Sequence, residues 1–323
     1  MSQPFHTDLA VPVAGGSLHV GVAGAPPGTP GTPIVLAVHG ITGSHRSWAP
    51  VARHLGDAVT VLAPDLRGRG ASSGLGGPFG MAAHVDDLLA VLDHVGCTRA
   101  VVAGHSMGGY VVARLAATAP DRLSAAVLVD GGLPLPVPPD IDADVLLAAV
   151  LGPSLARLQM TFPSVEAYRD FWRAHPAFAA APWTGDVTDY IDYDLAPSGG
   201  SRRPDRGDTP RPPGPERGPA GETLYRSRVS DTAVRADGRD LLDGDGAQKV
   251  LHSLADPCVL LWAARGIQNE DRPLLPADTI ADARALLPHL VVIEVPDTNH
   301  YLILLGAREA GIVAGEIRRL ATS

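Results

Sequence analysis

Ser106 is the residue whose neighbours best equip it for chemistry. It stands at the centre of Gly104-His105-Ser106-Met107-Gly108, between an apolar run at 100–103 and a helix-like stretch at 109–118. A serine hydroxyl attacks when a sharp strand-to-helix turn holds its Oγ in a cleft and aims the next backbone N–H at the developing oxyanion. Glycines at 104 and 108 suit such a turn, because a side chain at either place would collide with the adjoining strand or helix. The plain alternative is a structural turn, since a chain with 36 glycines produces glycine-spaced patterns by chance. The flanking elements, and the partners that follow in chain order, favour the nucleophile.

A serine nucleophile needs a base within hydrogen-bond reach, and here the base comes later in the chain. His300 meets the requirement. It lies in Pro296-Asp297-Thr298-Asn299-His300-Tyr301, in a loop after an expected strand at 291–295. His84, His94 and His252 read as ordinary core or surface histidines. The imidazole in turn needs a carboxylate to fix its tautomer and stabilise the imidazolium. Asp130, in Val127-Leu128-Val129-Asp130-Gly131-Gly132, follows the serine by one helix and one strand and so emerges at the same sheet edge. Glu270 and Asp271 sit in the loop after the expected strand at 259–262. Asp130 is favoured and the later pair is the alternative; the plain role of Asp130 is to close a strand end by accepting backbone hydrogen bonds.

The elements that must carry these residues recur along the chain. Aliphatic runs at 34–38, 59–62, 100–103, 125–129, 259–262 and 291–295 alternate with helical stretches, which predicts a largely parallel sheet with helices on both faces. Met81, Val85, Leu88, Leu89, Leu92 and Val95 fall at helical spacing and define one apolar face. Runs at 9–13 and 18–22 flank Ala14-Gly15-Gly16-Ser17 and predict an antiparallel hairpin. From Leu133 to about Val250 no clear strand is legible. Helical patterns at 143–160 and 165–174, with Phe162, Tyr168, Phe171, Trp172, Phe178 and Trp183, read as an inserted helical lid over the carboxyl edge of the sheet, where open α/β sheets bind ligands. Within it, residues 197–221 hold seven prolines and six glycines, a composition that predicts a disordered, solvated loop.

With His39-Gly40 after the first parallel strand and Pro64-Asp65-Leu66-Arg67-Gly68-Arg69-Gly70 after the next, the elbow and Asn299-His300 make the chain resemble the α/β-hydrolase superfamily. The resemblance covers roughly residues 34–132 and 255–320, the lid being matched by position alone. It implies a core of residues 1–132 and 251–323 with a lid at 133–250. It also implies an oxyanion hole built from the backbone N–H groups of Ile41 and Met107, with Asp65 and Arg67 bracing the loops and His105 packed beside the elbow. One departure stands out: the loop from Ala263 to Asp271 has no carboxylate before Glu270, later than the usual position in the family. The implied activity is that of a cofactor-independent serine hydrolase cleaving an ester or related acyl bond through an acyl-enzyme, on a small to medium apolar acyl or aromatic substrate. Carbon–carbon bond hydrolysis and haloperoxidase-like chemistry use the same triad, and a non-catalytic ligand-binding protein of the same fold is the alternative from another class. Serine at 106 speaks against the aspartate-nucleophile epoxide and haloalkane hydrolases.

Bulk composition narrows the field further. The 323 residues suffice for one large α/β domain. A net charge of −9 and a pI near 5.7 argue against nucleic acid or an anionic membrane as partner. Cys97 and Cys258 form no C-x-x-C pair, no H-E-x-x-H motif occurs, and the glycine-rich stretch 68–80 does not open a helix after a strand. No metal and no cofactor are therefore expected. The first 24 residues lack a secretion-signal pattern and no apolar run approaches a membrane span, so a cytoplasmic protein is expected.

Overall fold

The aliphatic runs become the strands of one eight-stranded sheet: β1 (Phe5–Val13), β2 (Gly16–Gly24), β3 (Ile34–Val38), β4 (Thr60–Pro64), β5 (Ala100–His105), β6 (Leu123–Val129), and, after two short strands noted below, β9 (Cys258–Arg265) and β10 (Val291–Asn299). The computed structural model describes residues 3–135, 137, 141–198, 218, 221, 223–242 and 250–322. The strand order is β1-β2-β4-β3-β5-β6-β9-β10. β1 and β2 pair antiparallel, β2 joins β4 antiparallel, and all pairings from β4 onward are parallel. The chain passes from β3 to β4 on one side and then crosses back to β5 on the other. The carboxyl ends of β3 and β5 therefore flank a switch point, the place where such sheets leave a crevice for ligands.

Side chains alternate across the pleat, and here both faces are apolar, as a sheet covered on both sides requires. Val35, Ala37, Val101, Ala103, Val127 and Val129 face one core layer, which the helices Ala49–Leu55 and Ala307–Ala321 cover. Leu36, Val38, Val102, Leu128 and Leu260 face the other, under the helices Met81–His94 and Met107–Thr118. This double burial explains why the strands read as continuous aliphatic runs.

Between β6 and β9 the chain forms the helices Ala143–Leu151, Pro153–Ala156, Val165–Arg173, Gly185–Asp194 and Asp231–Leu242. It also forms β7 (Leu195–Pro197) and β8 (Tyr225–Ser227), an antiparallel pair where no strand was expected. Three residues are too few to display a period of two. The single helical pattern at 143–160 is divided at Gly152, whose φ of 50° leaves the helical region ahead of Pro153. Most of the 197–221 segment lies outside the described residues, although its first residue, Pro197, ends β7. The aromatics gather around buried Trp172, which packs on Tyr168, Phe178 and, from the other side of the cleft, Tyr301. Among the described residues no helix is long and apolar enough to cross a membrane.

Candidate active site

β5 ends at His105 and a helix begins at Met107, so Ser106 alone makes the turn, at φ 54° and ψ −122°. Such a backbone costs a non-glycine residue on the order of 1–3 kcal/mol and persists only where the surroundings enforce it. The enforcement is visible. Ser106 donates its N–H to Val129 O at 2.9 Å and accepts from Gly109 N at 2.9 Å. A Cβ on Gly104 would lie 2.2 Å from Gly108 O, and one on Gly108 would lie 2.3 Å from Val38 O, so both glycines are demanded by close backbone approach. Ser106 is half-buried and opens on a cleft of about 450 Å³, including its mouth, shared with Ile41, His300, Tyr301 and Leu304.

His300 follows β10 directly. That strand runs past the expected 291–295 through an irregularity between Val295 and Asn299, with Asp297 at φ 57°. The Nδ1–H of His300 donates to Asp130 Oδ2 at 2.6 Å, and both residues are buried. Asp130 sits just beyond β6 at φ 45°, a conformation that aspartate tolerates better than most residues. Its other oxygen accepts from Ala263 N at 3.0 Å, so the carboxylate meets the imidazole and closes the strand end together. The two later acids lie elsewhere. Glu270 accepts from Gln268 N at 2.7 Å, while Asp271 pairs with Arg265 at 2.8 Å with its side chain 93% exposed. Ser106 and His300 line the same cleft, and among the described residues no hydrogen bond joins them. In ligand-free sites this bond is often open and tightens only with substrate.

The loop 39–43 crosses the elbow so closely that a Cβ on Gly40 would be 3.5 Å from Ser106 Oγ. Within it, His39 Nδ1 donates to Gly40 O at 2.7 Å and Gly43 N donates to the same oxygen at 3.0 Å. Leu66 N donates to His39 Nε2 at 3.0 Å, which fixes the tautomer. Burial pushes the His39 pKa down to about 4 and keeps the ring neutral. The backbone N–H groups of Ile41 and Met107 find no acceptor among the described residues. His105 donates to His300 O at 2.8 Å and so ties the elbow to the backbone that carries His300; burial, then His300, holds its pKa well below the usual range.

Asp65 and Arg67 do brace the surrounding loops. Arg67 binds Asp87 through two bonds, at 2.8 and 2.6 Å. Asp65 accepts from the amides of His45 and Ala71, both at 2.9 Å, and from the Tyr193 hydroxyl at 2.5 Å. His84 is a core residue paired with Asp237 at 3.0 Å, and His94 and His252 are exposed. Motif spacing gave no sign that His19, His45 and Asp65 would bring ligand atoms within 4.8 Å of one another. The oxygens of Asp65 are already engaged by those amides, the hydroxyl and both rings, which makes the cluster a hydrogen-bond hub. Although burial opposes ionisation of Asp65, His45 and His19 together hold its pKa well below the carboxylate range.

The parallel sheet, the strand-to-helix serine turn and the cleft at the switch point define an α/β hydrolase. The chain belongs to the alpha/beta hydrolase fold family, whose pattern matches residues 33–307. It is 38% identical over 135 residues to lipase LipV of Mycobacterium tuberculosis, a match covering 41% of this chain and 51% of the lipase. The chain thus spans about half the length of that relative. Among solved structures it is similar to an E-2-(acetamidomethylene)succinate hydrolase, with a TM-score of 0.73 and 20% identity over 98% of this chain and 99% of that one. A thermophilic esterase from Thermogutta terrifontis superposes with a TM-score of 0.61 at 20% identity, again over 98% and 99%. At such identities these structures speak for the fold alone.

Proposed function

We propose that this α/β hydrolase is a cofactor-independent serine hydrolase that cleaves a carboxylic ester through an acyl-enzyme. One observation carries the reading: a single cleft holds a serine on an enforced turn and a histidine whose Nδ1–H is bound by a buried carboxylate at 2.6 Å. Ser106 Oγ attacks the ester carbonyl as His300 Nε2 takes its proton, and Asp130 stabilises the imidazolium. The tetrahedral oxyanion lies between the N–H groups of Ile41 and Met107. Collapse expels the alcohol, which receives the proton from His300. Water then attacks the acyl-enzyme with His300 again as base, and the carboxylic acid leaves with Ser106 restored.

The walls of the cleft suit a short apolar acyl group, because Ile41, Leu151, Ile267, Leu304 and Leu305 line it. Leu151 and Tyr190 come from the segment between β6 and β9, which supports assigning residues 133–250 as a lid on a core of 1–132 and 251–323. The test is labelling with a fluorophosphonate, followed by a screen of p-nitrophenyl esters by chain length. Ser106 should carry the label, Ser106→Ala should lose labelling and on the order of 10⁶ in turnover while staying folded, and acetate and butyrate esters should be cleaved faster than palmitate. An active, folded Ser106→Ala variant would remove the assignment.

A further inference from the structure

The proposed oxyanion donor Ile41 sits in a loop whose peptide planes are held in series. A trans peptide is planar, with its C=O and N–H pointing in opposite directions, so fixing a carbonyl fixes the N–H of the next residue. The N–H of Ile41 belongs to the peptide whose carbonyl is Gly40 O. That oxygen accepts from Gly43 N at 3.0 Å. The N–H of Gly43 belongs in turn to the peptide whose carbonyl is Thr42 O, and Thr42 O accepts from Arg157 Nη2 at 3.1 Å. Arg157 therefore stands at the far end of a relay of two peptide planes that terminates on the proposed oxyanion donor. Arg69 Nε supports the intervening carbonyl, Ile41 O, at 2.9 Å.

Arg157 does not belong to the core sheet or its helices. It lies in the short turn Arg157–Gln159 of the inserted segment and is 1% exposed. Among the described residues its other hydrogen bonds stay within that segment: Nε donates to Tyr168 Oη at 3.1 Å, Nη1 to Ser154 O, and Nη2 also to Asp194 Oδ2 at 3.2 Å. Its guanidinium carbon lies 5.0 Å from the centre of the Trp172 ring. The insertion thus builds a rigid seat for one cation and lends a single donor from it to the core. A planar fork with several fixed donors can do this, whereas a lysine ammonium cannot keep Tyr168, Ser154, Asp194 and Thr42 together.

We infer that Arg157 is a positioning residue for the oxyanion loop, through which the inserted segment sets the alignment of the Ile41 N–H. The inference rests on the reading of Ile41 and Ser106 given above. Its test uses the full-length protein in three forms: Arg157→Lys, the neutral pair Arg157→Gln with Asp194→Asn, and Ser106→Ala. Each is measured for kcat and KM on p-nitrophenyl butyrate, for affinity toward a trifluoromethyl ketone that forms a tetrahedral oxyanion on serine, and for thermal stability. Outright loss of one oxyanion donor costs 10²–10³ in kcat in a well-studied hydrolase, so misalignment should cost roughly 10–100-fold. The ketone should bind more weakly by a similar factor while KM stays within about threefold, a split that loss of packing alone does not produce. Folded Arg157 variants with unchanged kcat and ketone affinity, beside an inactive Ser106→Ala, would overturn the role of Arg157 and leave the site reading standing. Full activity in Ser106→Ala would overturn both. If neither Arg157 variant folds, Arg157 serves stability and the positioning role is wrong.

Discussion

Replacing Asp130 by asparagine tests the acid at the cost of one atom's identity. The wild-type carboxylate accepts twice, from His300 Nδ1 at 2.6 Å and from Ala263 N at 3.0 Å. An amide has one accepting oxygen and one donating nitrogen, so it cannot satisfy both neighbours as they stand. If its oxygen stays on Ala263 N, the NH₂ faces His300 Nδ1, which must become the acceptor. The ring proton then sits on Nε2, where it blocks removal of the proton from Ser106. The reverse orientation preserves the productive tautomer and leaves the buried Ala263 N–H without an acceptor, at a cost of about 1–3 kcal/mol. The structure therefore selects the unproductive tautomer, and the charge that stabilises the imidazolium is lost as well. Together these effects cost about 10⁴ in kcat in a comparable triad, or about 5 kcal/mol at about 1.4 kcal/mol per decade. The assay is kcat on p-nitrophenyl butyrate at pH 8, with circular dichroism as the check on folding. Asp271→Asn and Glu270→Gln, which touch neither His300 nor the cleft, should stay within about threefold of wild type. Asp130→Asn within tenfold of wild type, or a severe loss in Asp271→Asn, would refute the reasoning.

Further expectations concern stability. Gly108→Ala places a Cβ 2.3 Å from Val38 O, a clash with backbone that cannot rotate away; it should cost roughly 3 kcal/mol or more and show as a lowered Tm. Gly315→Ala, in the exposed middle of the helix Ala307–Ala321 with nothing within 4 Å of its added Cβ, should instead raise stability by about 0.5–1 kcal/mol. Urea unfolding should report His39. Its pKa of about 4 when folded lies below the ordinary histidine value of 6.5, so the unfolded chain binds the extra proton first and stability falls as pH drops from 6.5 toward 4, by about 3 kcal/mol. His19 acts in the opposite sense: burial alone would lower its pKa, but Asp65 and Asp8 raise it, so its contribution is complete below pH 6.5 and fades at higher pH. A urea midpoint that does not move between pH 7 and 4.5 in a His19→Gln background, where the opposing contribution is removed, would contradict the assignment of His39 as a buried neutral ring.

Much of the candidate site was legible because its requirements are local. The elbow needs glycines at fixed offsets, and Gly104 and Gly108 meet backbone where their spacing suggested. His300 and Asp130, paired from chain order and strand ends, do meet in the structure, since a parallel sheet delivers every strand's carboxyl end to one edge. The segment between β6 and β9 was harder to read. The helix Gly185–Asp194 buries Val187, Tyr190 and Ile191 at helical spacing, a detectable signal diluted by four aspartates. The helix Asp231–Leu242 hides its period because Asp237 and Gly238 occupy its buried face, the former paired with Arg69 and His84. Arg157 had no local signal at all. Its partners Thr42 and Asp194 lie at distant points of the chain, and only the folded structure brings them to it.

With the acid proposed at the end of β6, the loop after β9 is released from the proton relay. It still shapes the cleft, since Ile267 forms part of the wall, and Gln268 packs so closely against Gly152 that a Cβ there would come within 2.6 Å of its amide nitrogen. Variation at 267 and 268 can therefore remodel the cleft and its seam with the segment between β6 and β9 without disturbing the carboxylate bound to His300. An acid placed in that loop would tie substrate range and catalytic competence to the same few residues, and each adaptive change would carry a risk to turnover. Here the two can drift apart, which makes positions 267 and 268 the natural first targets for a library aimed at new substrates.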